Sequence, residues 1–197
     1  MKVKAVVLAA GESRRMGANK LLLPLAGRPL LDHVLGRLEA YPTVVVTGHK
    51  PEEVEPLALR RGAQVVHNPR YKEGMTTSFQ AGLKAAVEAD AVFLCLGDSL
   101  GASPGLLARM VERMEESDAL LVSPLYQGRR GHPVLVSGRL FPQILALGPG
   151  ETLRDLFQAH DSRHLHVEGD IWTVLDLDTP DDYQKALRLM ERAPSPS

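Results

Sequence analysis

A candidate ligand-binding segment, Leu8–Lys20 (LAAGESRRMGANK), begins where the first apolar run ends. Two glycines, Gly11 and Gly17, allow the backbone to approach a ligand closely. Arg15 and Lys20 belong to a set of three cations with no acidic residue between them. Glycines, free backbone amides and cations together suit phosphate groups. The segment is therefore predicted to bind phosphate, at the end of a first strand, where open α/β sheets place their ligands.

This segment does not match the two commonest phosphate-binding loops. A Walker A loop needs Gly-Lys-Ser/Thr, but Lys20 is followed by Leu21, and the dinucleotide fingerprint G-x-G-x-x-G is absent. The segment does resemble the L-A-A-G-x-S-x-R-M-G-x-x-K signature of the nucleotidyltransferase superfamily, with every fixed position present. An ordinary basic surface loop after a strand is the plainer alternative.

Acidic residues follow two later apolar runs. Asp98 comes after the most apolar one, Ala91–Leu96, and next to a glycine, a position well suited to Mg²⁺. Asp176 and Asp178 lie two residues apart after Trp172–Leu175, which we predict to be a strand, so both would lie on one face. We expect Asp98 to bind the metal with Asp176 as the preferred partner and Asp178 as the alternative. The plainer reading of Asp98 is a residue that merely turns the chain.

A polar helix start is predicted in GMTTSFQAGL, which begins at Gly74. Thr76 and Ser78 lie where free amides and the helix dipole favour a phosphate or the polar edge of a base. Simple capping of the helix by Thr76 or Thr77 explains the same residues.

A basic turn supplies a fourth group of candidates. Arg130, Gly131 and His132 stand beside the short predicted strand Pro133–Ser137 and could bind an anionic acceptor. His132 has little support as a general base, because no serine or cysteine nucleophile motif accompanies it.

The rest of the sequence alternates between predicted strands and predicted helices. Short apolar runs predict strands; they are Val3–Leu8, Thr43–Val46, Gln64–His67, Ala91–Leu96, Ala119–Ser123, Pro133–Ser137, His164–Val167 and Trp172–Leu175. Helical patterns lie between them, at Pro29–Ala40, Pro51–Arg60, Thr76–Ala89, Pro104–Glu116, Arg139–Leu147 and Thr152–His160. This order predicts an α/β fold: a single-domain, mostly parallel, Rossmann-like sheet with helices on both faces, and an acceptor-binding part with antiparallel strands after Pro124.

Length and composition restrict the class of protein. The 197 residues suit one domain, which we place at 1–192, with a flexible tail at 193–197. No apolar run approaches the roughly 20 residues of a membrane span. The net charge of -1 provides no basic field for nucleic acid, and one cysteine excludes an internal disulfide. We expect a cytoplasmic enzyme, a monomer or small homo-oligomer, that binds neither nucleic acid nor membrane.

Together these motifs resemble the molybdopterin nucleotidyltransferases, the family of molybdenum cofactor cytidylyl- and guanylyltransferases. The resemblance rests on LAAGESRRMGANKLLLPLAGRPLL, GMTTSFQAGL, GHPVLVS and DLDTPDDY, and it spans nearly the whole chain. It implies a nucleotide-diphospho-sugar transferase-like fold, Mg²⁺ as cofactor, and partners consisting of an NTP and a small phosphate-bearing, molybdopterin-like acceptor.

The resemblance also assigns residues to roles. The implied catalytic residues are Arg15, Lys20 and Asp98; the implied nucleotide-binding residues are Leu8, Ala9, Ala10, Gly11, Ser13, Gly17, Gly74, Thr76 and Ser78. The implied metal ligands are Asp98, Asp176 and Asp178, and the implied acceptor-binding residues are Arg130, Gly131 and His132.

The chain departs from the family pattern at Gly97-Asp98-Ser99-Leu100, where Gly-Asp-Gln-Pro is usual. The metal-binding aspartate is kept, and the two residues after it differ. Ala10, where guanylyltransferases tend to have glycine, favours CTP as the nucleotide. Two other functions remain compatible with the sequence: a sugar- or polyol-phosphate nucleotidyltransferase, and a nucleotide-binding regulator without turnover.

Overall fold

A computed structural model describes residues 1–12 and 19–192 of the chain. Within this part, eight strands form one sheet and two short strands form a separate hairpin. The strands are β1 Val3–Ala9, β2 Pro24–Leu25, β3 Arg28–Pro29, β4 Thr43–Thr47, β5 Gln64–His67, β6 Ala91–Leu96, β7 Leu121–Tyr126, β8 Arg129–Arg130, β9 Val134–Ser137 and β10 His164–Glu168. The main sheet has the order β10-β7-β9-β6-β1-β4-β5, with β8 paired to β7.

The main sheet is mostly parallel, as predicted. The strands β5, β4, β1 and β6 run parallel to one another, and β10 runs parallel to β7. β9 lies antiparallel between β6 and β7, and β8 forms an antiparallel pair with β7. The predicted antiparallel strands after Pro124 are therefore present.

Helices cover both faces of the sheet. They are α1 Leu30–Gly36, α2 Pro51–Arg60, α3 Met75–Lys84, α4 Pro104–Glu115, α5 Phe141–Ala146, α6 Leu153–Ala159, α7 Ile171–Val174 and α8 Pro180–Arg192. Alternate residues of β1 and β6 belong to two separate apolar clusters, one on each face: Phe93 packs in the first and Leu94 in the second. In the described part of the chain, none of these helices is long and apolar enough to cross a membrane.

Side-chain caps fix the starts of two helices. The Ser103 hydroxyl accepts a hydrogen bond from the backbone N–H of Leu106, with Pro104 in the first helical position. Thr179 and Asp182 exchange hydrogen bonds between side chains and backbone at the start of α8.

The predicted strand Trp172–Leu175 is wrong, because Trp172–Val174 lie in α7 and Leu175 is the extended residue that ends this helix. Asp170 caps this helix by accepting a hydrogen bond of 2.9 Å from the backbone N–H of Trp172. A run of four residues is too short for its hydrophobic pattern to distinguish a strand from a buried turn of helix, so the cap decides the conformation. Strand β7 also begins two residues later than the predicted Ala119, at Leu121.

The hairpin formed by β2 and β3 was not predicted. Its two turn residues, Ala26 and Gly27, have φ of 47° and 80°, the pair of positive angles that a tight hairpin turn requires. The predicted tail at 193–197 lies outside the described residues.

Candidate active site

The ammonium of Lys20 lies between two carboxylates at the carboxyl edge of the sheet. Its Nζ is 2.5 Å from Oδ2 of Asp98 and 2.7 Å from Oδ1 of Asp178. Burial alone would lower the pKa of this ammonium, but the two carboxylates outweigh it and raise the pKa above its ordinary value. Lys20 is therefore held in its charged form, in a fixed position beside the ends of β1 and β6.

Local backbone structure positions Asp98 and Lys20. Asp98 follows β6 through Gly97, whose N–H donates to the Leu8 carbonyl at 2.9 Å; a Cβ at Gly97 would lie only 3.0 Å from that oxygen. Lys20 follows Asn19, whose side chain accepts from the N–H of Leu21 and donates to Glu53 on α2. Asn19, directly before Lys20, is thus tied both to the turn that follows it and to a helix.

Asp176 stands close enough to interact electrostatically with the other acids. Its pKa is raised, first by burial and then by the negative charge of Asp98; the imidazole of His132 acts in the opposite direction. Among the described residues, however, no group of three or more acidic, histidine or cysteine side chains forms a metal-binding cluster. The donor chemistry fits Mg²⁺, which commonly takes one or two protein carboxylates and completes its shell with water and phosphate.

The first of three compartments is a cleft of about 650 Å³ at this edge of the sheet. Six of the candidate nucleotide-binding residues line it: Leu8, Ala9, Ala10, Gly11, Gly74 and Ser78. Lys20, Asp98 and Asp178 also line this cleft. The candidates Ser13, Arg15 and Gly17 lie outside the described residues.

Thr76 does not line this cleft. Its hydroxyl accepts a hydrogen bond of 3.3 Å from the backbone N–H of Leu153, so it joins α3 to α6. Simple capping does not explain the helix start either, because Gly74 precedes α3 without a side-chain cap and the Thr77 hydroxyl donates to backbone carbonyls. Tyr71 and Lys72 also line the cleft. The sequence did not predict this, because no motif marks the short turn that contains them.

The second compartment, of about 410 Å³, shares Asp98 and Asp178 with the cleft and adds Asp176. Its remaining wall contains the three candidate acceptor residues Arg130, Gly131 and His132. Gly131 is fixed by packing, because a Cβ there would lie 2.2 Å from the carbonyl oxygen of Thr173 in α7.

A third compartment, of about 750 Å³, shares Arg130, Gly131 and His132 with the second. It extends beneath α6, where Leu153 and Phe157 line it. Ser99 and Leu100, the two departures from the family pattern, are both buried and line none of the three compartments.

Residues 5–165 match the model of a family described as the MobA-like NTP transferase domain. The chain is 30% identical over 184 residues to the molybdenum cofactor cytidylyltransferase of Escherichia coli K12, which covers 92% of this chain and 93% of that protein. It is 30% identical to a probable molybdenum cofactor guanylyltransferase of Mycobacterium avium, over 84% of this chain and 85% of that protein.

Among solved structures, the chain resembles a nucleotidyl transferase from Methanothermobacter, with a TM-score of 0.81 and 27% identity. The similarity covers 96% of this chain and 98% of that one. The predicted fold is thereby confirmed: a single α/β domain with the nucleotide-diphospho-sugar transferase architecture.

Proposed function

The chain belongs to the MobA-like NTP transferase family and is a nucleotidyltransferase, and from this we propose that it transfers CMP from CTP to the phosphate of a molybdopterin-like acceptor, with Mg²⁺ as cofactor. An oxygen of the acceptor phosphate forms a bond to the α-phosphorus of CTP. The bond from that phosphorus to the oxygen bridging to the β-phosphate breaks, and pyrophosphate leaves with the electron pair. The attacking oxygen is already anionic at neutral pH, so no general base is needed.

The observation that carries this proposal is the position of Lys20 between Asp98 and Asp178. A charged ammonium on the wall of this cleft can bind the β- and γ-phosphates and stabilise the leaving pyrophosphate. Arg15 is proposed to assist it, on the strength of the family motif alone. Neutralisation of charge and positioning of the two phosphates are then the main contributions to catalysis.

Asp98 is the proposed ligand of Mg²⁺. Asp178 is the favoured second carboxylate, ahead of Asp176, because Asp178 lines both the cleft and the second compartment whereas Asp176 lines the second alone. Bound there, Mg²⁺ would act as a Lewis acid and neutralise charge on the phosphates. The acceptor phosphate is proposed to lie near Arg130 and His132, which line the same compartment.

The preference for CTP rests on the floor of the cleft. Ala10 is buried there, and its Cβ would lie 2.8 Å from a Cβ built at Gly48, so the floor is closely packed. A side chain at Ala10 narrows the space for a purine, and backbone groups of the loop can read the edge of a small base. The cytidylyltransferase of E. coli, similar over nearly its full length, supports the same choice.

The direct test measures pyrophosphate release with CTP, GTP, ATP and UTP, each with Mg²⁺ and with molybdopterin, glucose 1-phosphate or a polyol phosphate. We expect the highest kcat/KM for CTP with molybdopterin and loss of turnover when the metal is chelated. Preference for a purine would overturn the choice of base, and preference for glucose 1-phosphate would overturn the choice of acceptor. Release of pyrophosphate with no combination would overturn the enzymatic proposal itself.

The metal ligand is tested by Asp98→Asn, which preserves size and removes the charge. We expect Mg²⁺-dependent turnover to fall by roughly 10²-fold or more, the scale of losing one contact that stabilises the transition state. Asp181→Asn is the matched control, because Asp181 is an exposed acid in the first turn of α8 and lines none of the compartments. Equal activity of the two variants would show that Asp98 does not bind the metal.

A further inference from the structure

Asn68, the residue that follows strand β5, is a buried polar side chain outside all of the site motifs. It lines none of the three compartments. Buried polar groups are nearly always hydrogen-bonded in folded proteins. The polar groups of Asn68 find their partners in three segments: Thr47 at the end of β4, the turn at Arg70 and Tyr71, and the start of α3. Asn68 therefore joins three parts of the chain that meet at the nucleotide cleft.

The orientation of the Asn68 amide is fixed by the backbone around it. The backbone N–H of Asn68 donates to the Thr47 carbonyl at 2.8 Å, and its carbonyl accepts from the N–H of Tyr71 at 3.3 Å. The side-chain oxygen accepts from the backbone N–H of Arg70 at 3.0 Å. Because a backbone N–H can only donate, the atom that faces Arg70 is the amide oxygen, and the amide nitrogen faces the other way.

The amide nitrogen contacts two hydroxyls at the start of α3. Nδ2 of Asn68 donates to Oγ1 of Thr77 at 3.1 Å and to Oγ of Ser78 at 3.0 Å, which uses both of its protons. The Thr77 hydroxyl donates its own proton to the backbone carbonyls of Arg70 and Gly74. Ser78 differs, because no acceptor within residues 1–12 and 19–192 takes its hydroxyl proton. This proton is directed away from Asn68, and Ser78 lines the nucleotide cleft.

We propose that Asn68 is a positioning residue that holds the Ser78 hydroxyl as a hydrogen-bond donor to the base of the bound nucleotide. The inference rests on the proposed function, since CTP is the nucleotide proposed for this cleft. Atoms N3 and O2 of cytosine are neighbouring acceptors, so a hydroxyl whose proton is kept for the cleft matches this edge of the base. Asn68 does not line the cleft and acts through Ser78.

The test is calorimetric titration of the full chain with CTP and Mg²⁺ and, separately, with pyrophosphate and Mg²⁺, which carries no base. Asn68→Asp preserves size and still accepts from Arg70, but at about pH 8 its ionised carboxylate donates nothing, so the Ser78 proton turns toward it. We expect CTP binding to weaken about tenfold, the scale of one hydrogen bond in a buried site, and pyrophosphate binding to stay unchanged.

Thr77→Val is the matched control, because it removes the other hydroxyl that contacts the same amide and Thr77 does not line the cleft. This variant should bind both CTP and pyrophosphate as the wild type does.

A double-mutant cycle with Ser78→Ala separates positioning from a general structural role. Ser78→Ala alone should weaken CTP binding about tenfold. Adding Asn68→Asp should weaken it no further, because no hydroxyl is left to orient. Asn68→Ser removes the amide nitrogen without bringing in a charge, and it gives a second cycle with the same expected result.

The inference is overturned if the wild type or Ser78→Ala contradicts it: the wild type does not bind CTP, or Ser78→Ala binds CTP as the wild type does. It is also overturned if the changes at Asn68 and Ser78 weaken CTP binding independently, if pyrophosphate binding weakens with that of CTP in both Asn68 variants, or if Thr77→Val weakens CTP binding as much as Asn68→Asp. Failure of both Asn68 variants to fold would overturn it too, because the residue would then serve the fold itself. Failure of the proposed function is read separately, as absence of pyrophosphate release, since these titrations contain no acceptor.

Discussion

At the scale of single residues, the contact of Lys20 with two carboxylates gives the sharpest prediction. Lys20→Ala removes the cation proposed to hold pyrophosphate, so kcat should fall by roughly 10²-fold or more. Asp98 and Asp178 lose their shared ion-pair partner, and a small decrease of Tm should accompany the loss of activity. Steady-state kinetics and a thermal melt of the same preparation separate the two effects.

The control for this change is Lys84→Ala, which removes an exposed lysine at the end of α3 that lines none of the compartments. Its kcat and Tm should match those of the wild type. If Lys20→Ala retains the kcat of this control, Lys20 does not contact the leaving group.

The sequence predicts where a side chain lies when that side chain stands at the end of a strand. Asp98 and the backbone of Leu8–Gly11 lie at the same edge of the sheet because parallel strands end together. The sequence does not show that Thr76 contacts Leu153, because that contact spans 77 positions of the chain. His164 and Phe157 line the third compartment, and no spacing in the sequence predicts this, because they lie on different elements, β10 and α6.

At the scale of elements, the packing of α3 on the sheet depends on Gly82. A Cβ at this position would lie 2.4 Å from Cγ1 of Val6 and 2.7 Å from Cγ2 of Val46, both fully buried. Gly82→Ala should therefore destabilise the protein by about 1–3 kcal/mol in spite of the better helix propensity of alanine. Gly74 precedes α3 and Ser78 lies in its first turn, and both line the nucleotide cleft. The KM for the nucleotide should therefore also rise. Urea unfolding and steady-state kinetics measure the two quantities.

Gly105→Ala is the matched control, because Gly105 lies in the exposed first turn of α4 and a Cβ there meets nothing nearer than 3.9 Å. This variant should be neutral or more stable by up to about 1 kcal/mol. Equal stability of the two variants would mean that α3 moves away from the sheet without cost.

Several helices and strands have the bounds that their hydrophobic patterns predict. The helix Pro51–Arg60 and the strands Gln64–His67 and Ala91–Leu96 have the predicted bounds. Other bounds were wrong: the helix predicted at Thr76–Ala89 already ends at Lys84, α7 was predicted to be a strand, and the hairpin of β2 and β3 was not predicted. Two-residue strands and single turns carry too few residues for a period, and their turn or cap residues decide the conformation.

At the scale of the whole molecule, the site lies where the chain reverses the direction in which strands are added. From β1 the chain passes to β4 and β5 on one side and then returns to β6 on the other. Loops leaving β1 and β6 therefore diverge and open a crevice between them, the place where open α/β sheets bind ligands. Asp98 and the backbone after Leu8 line this crevice, and the antiparallel insertion of β9 brings Arg130 and His132 to its far side.

The fold as a whole should lose stability in mild acid because several histidines are kept neutral inside it. Burial lowers the pKa of His33, His164 and His166; for His164, neighbouring His166 and Arg130 lower it further and Asp161 opposes them. The folded pKa of His164 is about 4, below the ordinary value of about 6.5 in the unfolded chain. Between these values the unfolded chain binds more protons, so the free energy of unfolding falls as the pH decreases from about 6.5 toward 4.

We expect His164 alone to account for a loss of about 1–2 kcal/mol between pH 7 and pH 5. Urea unfolding at the two pH values measures it, with His164→Gln as the reference, because glutamine does not titrate and still reaches Ser123. The variant should lose less stability than the wild type over this interval. An identical loss in both proteins would show that the His164 imidazole titrates in the folded chain as it does in water.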